Sequence, residues 1–145
     1  MSYTETDIEY AVERNVDPGE VRNLWISSGF IDYVPDFDWA GLPTLLENSN
    51  LIVVARHRGR MVGMTRSVTD FTLFCGLVDM MVDPEFQRRG IARELARRTR
   101  DAAGCNVWLS AIVPDSASGF YEKAGFVRVE NGWSAWILMP PQTDR

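Results

Sequence analysis

The 145-residue chain has one histidine, two cysteines, one lysine and no long apolar run. His57, the single histidine, adjoins a turn at Gly59 and is expected in solvent, so no histidine is left for a catalytic triad. No cluster of His, Cys and acidic residues has ligand spacing, and no metal is expected. Cys75 and Cys105 fit neither a disulfide framework nor a zinc motif; both are expected as buried thiols in a reducing compartment. The longest apolar runs, "LIVVA" and "AWILM", are far too short to span a bilayer. Residues 1–10 are polar and acidic without a signal-peptide pattern. The expectation is therefore no membrane association and a cytoplasmic location.

What is present suits a single domain, residues 1–145, large enough to bury a core. Charge is distributed unevenly. The net is −5, yet residues 88–100 hold six arginines against Glu94 alone, leaving the remainder at −10. A basic island on an acidic chain argues against nucleic acid, which usually needs a broad basic footprint, and suits a compact anionic ligand.

Periodicity predicts a mixed α/β sheet of about seven strands with about four helices. Residues 7–14 alternate like a half-buried strand. Asp17 before Pro18 starts a helix that buries Val21, Leu24 and Trp25 and stops at Gly29. Residues 30–41 read as an aromatic, acidic loop, and "LPTLLENSN" as a short helix. Strands follow at "LIVVARH", "RMVGMTRSV" and "GLVDMMV", the last central because it is nearly continuous in hydrophobicity. A helix over 91–103 turns its arginines outward; "NVWLSAIV" is a fifth strand. "DSASGFYEKAG" reads as a helix capped by Asp115, and "FVRVE" and "SAWILM" as two closing strands.

Within "VDPEFQRRGIARELARR", Gly90 admits two readings. If the helix begins there, no Ser, Thr, Asp or Asn stands before it, and its free amides, with Arg88, Arg89 and Arg93, form an anion seat. If Asp83 caps an earlier start with Pro84 behind it, Gly90 lies mid-helix at about 1 kcal/mol against alanine. The residues alone leave both open.

"VDMMVDPEFQRRGIARELA" resembles the acetyl-CoA signature of the GNAT superfamily of N-acetyltransferases, Gln/Arg-x-x-Gly-x-Gly/Ala, here Gln87, Arg88, Arg89, Gly90, Ile91 and Ala92. The later "FYEKAGF" resembles a second piece of that family, and the segment from Gly63 through Ala92 is similar to its small-amine branch, which includes arylalkylamine (serotonin-type) acetyltransferases. The asparagine often found before the later helix is replaced by Pro114–Asp115. The resemblance implies a GNAT fold and acetyl-CoA as cosubstrate. It implies that residues 87–92 hold the pyrophosphate, and that Met80, Met81 and Val82 hold the pantetheine arm through their backbone. It further implies that Tyr121 faces the thioester sulfur as a general acid. The family also makes a homodimer an expectation.

Acetyl transfer to an amine needs a polarised carbonyl, for which a backbone N–H near Met81 is the candidate, and a proton for the leaving thiolate. Tyr121 also reads as a half-buried helix aromatic bonded elsewhere. Asp79, a charge inside an apolar strand, either handles the ammonium as base or anchor or bonds backbone amides as a structural residue. Trp25, Phe30, Tyr33 and Trp39, with Asp32, Asp36 and Asp38, either line an acceptor pocket or form core plus a solvated loop. The expected function is transfer of acetyl from acetyl-CoA to a small-molecule primary amine in a ternary complex. The alternatives are acetylation of a protein N-terminus or lysine, and a non-catalytic acyl-CoA-binding module.

Overall fold

In the computed structural model, which describes residues 7–130, five strands run in the order β1-β2-β3-β4-β5. β1 (Ile8–Val12), β2 (Leu51–His57), β3 (Arg60–Thr69) and β4 (Phe74–Val82) are antiparallel neighbours; β5 (Trp108–Ala111) joins β4 in parallel. Four α-helices accompany them: α1 (Pro18–Ser27), α2 (Leu42–Glu47), α3 (Ile91–Ala103) and α4 (Ser118–Lys123). No helix among the described residues is long and apolar enough to cross a membrane.

The continuous run "LIVVA" is explained by coverage of both sheet faces. Successive side chains alternate: Leu51, Val53 and Ala55 pack toward Ile91 and Leu95 of α3, while Ile52 and Val54 join Val21, Leu24 and Trp25 of α1. Gly63 lets α3 approach closely, since a Cβ there would lie 3.1 Å from Leu95 and 3.2 Å from Ile91. Asp17 caps α1 by accepting from the Glu20 amide at 3.1 Å, as its position before Pro18 implies.

Several expectations need correction. Cys75 is buried, but Cys105 is exposed beyond the end of α3. His57 is half-buried with its ring 5.1 Å from that of Phe86. Residues 30–41 contain two 3₁₀ turns, Phe30–Tyr33 and Trp39–Gly41. Asp115 does not cap α4: it opens a 3₁₀ turn, and its carbonyl accepts from the Ser118 hydroxyl. Among the described residues, 126–130 belong to no strand; the "SAWILM" strand expected beside them lies outside the described residues.

The consequential feature is where β4 and β5 part. Their pairing covers only Phe74–Leu77 and Trp108–Ala111. On the other side, the register against β3 shifts between Arg66 and Ser67, leaving Val78 as an extra residue. Such a bulge bends a strand and sharpens its twist. Beyond it, residues 79–82 of β4 stay paired with β3 but have no β5 partner, and a cleft opens between the two strands.

Candidate active site

One wall of the cleft is the backbone edge of β4. The Asp83 amide donates to the Val62 carbonyl at 2.8 Å. Antiparallel ladders alternate, so Asp79 and Met81 also turn their amides toward β3, and Met80 and Val82 turn theirs toward the cleft. The Val82 carbonyl, which accepts from Gln87 Nε2 at 3.0 Å, agrees with that phase, and so does the Met80 amide, which is directed at the Tyr121 phenol oxygen and works to lower its pKa. The donors facing the cleft are thus the Met80 and Val82 amides, with Met80 the one beside Tyr121, whereas the amide of Met81 is committed to the sheet.

The far wall is Ile112, Val113 and Pro114, and α4 supplies Phe120 and Tyr121. Tyr121 is 8% exposed, and its ring packs edge-on against Phe126 at 5.4 Å. Burial holds its phenol well above the usual tyrosine range, with the charge of Asp79 and the nearby Tyr33 adding to the effect and the Met80 hydrogen bond opposing it. Tyr121 therefore remains a proton donor at any physiological pH.

Asp79 borders the same cleft at 2% exposure. Arg66 Nε donates to its Oδ2 at 2.5 Å, and no other hydrogen bond to the carboxylate is made among the described residues. Burial pushes the carboxyl above its ordinary range while Arg66 pulls it back. Arg66 did not figure among the sequence candidates, although a signal existed: it follows Met64 at a spacing of two in β3, an inward-facing position for a cation.

Phe30 and Tyr33 also line the cleft, which encloses about 420 Å³, an ordinary volume for a small-molecule site. Trp25 does not reach it. It lies behind, 2% exposed, with its ring 4.9 Å from Phe30, 5.0 Å from Phe37 and 5.7 Å from Trp39. Trp39 stacks beneath Arg22 at 4.8 Å, and Asp38 accepts from the Ala40 amide. Asp32, Asp36 and Asp38 stand off the cleft wall.

At the lower end the Gly90 question resolves. Asp83 and Pro84 start only a 3₁₀ turn, Pro84–Phe86; Gln87 is extended, and Gly90, at φ 82°, is the N-cap of α3. No side chain caps those amides. A Cβ on Gly90 would meet nothing within 4 Å, so glycine is required for its left-handed backbone and the space above it is open. This space, about 370 Å³, is lined by Gln87, Arg88, Ile91, Ala92, Arg93 and Lys123. The other four arginines of the island are turned elsewhere: Arg89, expected in the seat, does not line it and lies over the Phe86 ring at 5.8 Å, Arg97 and Arg98 pair with Glu94, and Arg100 donates to the carbonyls of Gly104 and Val107. Free amides, a helix N-terminus and flanking cations make a seat that fits a diphosphate. Gln87 borders both spaces and joins seat to cleft.

No curated protein matches the sequence. Among solved structures the chain is similar to a GNAT family acetyltransferase from Streptococcus pneumoniae TIGR4, at 22% identity and TM-score 0.71, over 93% of this chain and 99% of that one. It is similar to the aminoglycoside N-acetyltransferase AAC(6')-Iy in complex with CoA, at 14% identity and TM-score 0.65, over 90% and 94%. The ribosomal-protein-alanine N-acetyltransferase from Brucella melitensis biovar Abortus 2308 is a third, at 20% identity and TM-score 0.64, over 91% and 98%. Likeness at these identities shows the fold. The Acetyltransferase (GNAT) domain profile matches residues 48–128, more than half of the chain and the stretch that carries the parting strands, the Gly90 loop and Tyr121. The chain belongs to that GNAT family and is an acetyltransferase.

Proposed function

We propose that the protein transfers the acetyl group of acetyl-CoA to the primary amine of a small molecule, by direct attack in a ternary complex. The observation that carries this reading is the parting of β4 from β5, which exposes the Met80 and Val82 backbone beside both the Gly90 seat and the Tyr121 phenol. Residues 87–92, with Arg88 and Arg93 flanking, would hold the pyrophosphate. The cleft-side groups of Met80 and Val82 would hold the pantetheine arm as an added strand; Met81 contributes through the packing of its side chain. Bound there, acetyl-CoA supplies the activated acetyl group.

The chain's own residues then divide the work. The Met80 amide polarises the carbonyl, replacing Met81 in the role expected from sequence. Asp79 anchors the ammonium or takes its proton, and Tyr121 protonates the departing thiolate. Phe30 and Tyr33 form the wall against which the amine's apolar body packs, with Trp25 supporting Phe30 from behind. A wall of this character favours a small acceptor, as in the arylalkylamine branch, over a protein terminus. The unlinked thiols Cys75 and Cys105 suit a reducing cytoplasm.

A panel of small primary amines, aminoglycosides and peptides with free N-termini, incubated with acetyl-CoA and monitored for thiol release, tests this reading. Turnover with small amines and none with peptides is expected. Turnover with peptides alone points to protein acetylation, and none with any acceptor contradicts the proposal.

A further inference from the structure

Arg66 sits in an unusual place for a guanidinium. It lies on β3 opposite Asp79, beside the register shift that opens the cleft, and is 9% exposed. Nε donates to Asp79 Oδ2 at 2.5 Å, and Nη1 donates to Ser49 Oγ at 3.0 Å. The Ser49 hydroxyl in turn donates to the Leu45 carbonyl of α2 at 2.7 Å. The arginine is thus gripped from the sheet on one side and from the end of a helix on the other. Stability alone is a weak reason for such a pair, because well-packed apolar residues often replace a buried ion pair without loss. The chain nevertheless keeps both charges, and one member borders the cleft.

We propose that Arg66 is a positioning residue for the transfer reaction: by holding Oδ2 of Asp79 it fixes the carboxylate's rotation and keeps it ionised, so that Oδ1 is presented to the acceptor amine. The inference rests on the acetyl-transfer reading of the cleft. The titratable groups that share the cleft with Asp79 are Tyr121 from α4 and Tyr33 from the turn after α1; Arg66 faces it from β3. Among the described residues, Arg66 is the one cation that opposes the effect of burial on this carboxyl. The sign follows. Without Arg66 the carboxyl titrates at higher pH, and any rate that requires the carboxylate begins its rise at higher pH.

The test compares the full-length wild-type protein with Arg66→Met and Arg66→Lys. Two quantities are followed: the ¹³C carboxyl resonance of Asp79 against pH, assigned with Asp79→Asn, and the pH profile of kcat/KM for one amine. In Arg66→Met both should move upward together by about 1–3 pH units, the size expected when a nearby opposite charge is lost. Acetyl-CoA affinity should stay constant, and Arg66→Lys should recover part of the movement. Should Arg66→Met fail to fold, Ser49→Ala, which frees the guanidinium from its second anchor, and Arg66→Lys must shift both quantities in the same direction by a smaller amount. A resonance and an acid limb that stay in place while only the melting temperature falls would overturn the inference and leave Arg66 structural. Wild-type turnover with an unmoved limb overturns the positioning role alone; absence of wild-type turnover overturns the function beneath it.

Discussion

Asp79 and Arg66, cross-strand partners on β4 and β3, meet at 2.5 Å with 2% and 9% of their surfaces exposed. Removing one partner strands the other charge in the interior, so Asp79→Leu alone or Arg66→Met alone should each destabilise the fold by roughly 3–5 kcal/mol. The double variant should regain most of that loss, since it leaves no buried charge unpaired, and should turn over no amine. Urea unfolding of the four proteins measures the coupling. Additive losses in the double variant would show that the two residues act independently.

Gly90 carries the anion seat by conformation and by openness. Gly90→Ala forces a side chain into left-handed backbone, at about 1–2 kcal/mol, without adding charge. Gly90→Glu adds the same strain and a carboxylate in the seat. Both should lose similar stability and keep a native far-UV spectrum, whereas only Gly90→Glu should lose at least about a hundredfold in CoA affinity, near 2.8 kcal/mol. Calorimetric titration with CoA separates them; equal affinity for the two variants would remove the phosphate from this loop.

Glu94, in the first turn of α3, accepts from Arg97 at 2.7 Å and Arg98 at 2.8 Å, and the two guanidiniums, against the opposing effect of burial, lower its carboxyl to about 2. A folded value below the ordinary one means that the stabilisation is complete above about pH 4.5 and is lost as pH falls toward 2. Glu94→Gln should therefore melt lower than wild type at pH 7, by the roughly 0.3–0.5 kcal/mol typical of each helix-surface pair, with the difference closing near pH 2. Melting curves across that interval check it. A gap that persists to pH 2 would assign the effect to packing.

The extent to which these features were legible in sequence follows from the range of the interactions behind them. The cap of α1 rests on contacts within a few residues, and Asp17 and Pro18 announce it locally; at Gly90 the residues left two starts of α3 open, and the short turn Pro84–Phe86 followed by extended Gln87 decides between them. The partner of Asp79 stands thirteen residues away on another strand, at a register altered by the extra residue Val78; nothing local encodes that pairing. The phase that turns the Met80 amide, and not that of Met81, into the cleft is likewise a property of the β3–β4 ladder. Aromatic composition around residues 25–39 pointed to a wall but did not separate Phe30 and Tyr33, which face the cleft, from Trp25 and Trp39, which back it.

The proton for the leaving thiolate is the central claim, and Tyr121→Phe tests it most directly. The substitution keeps the ring, its contacts with Phe120 and Phe126, and the helix, and removes only the hydroxyl. Because burial holds the phenol above its ordinary range, the wild-type kcat should show no loss from tyrosine ionisation as pH rises to 9. For Tyr121→Phe the expected result is a fall of roughly 10²–10⁴-fold in kcat, an equal fall in kcat/KM and unchanged acetyl-CoA affinity, the pattern of a contact made mainly in the transition state. A variant with wild-type kcat, under conditions where the chemical step limits the rate, would contradict the account and leave solvent as the acid.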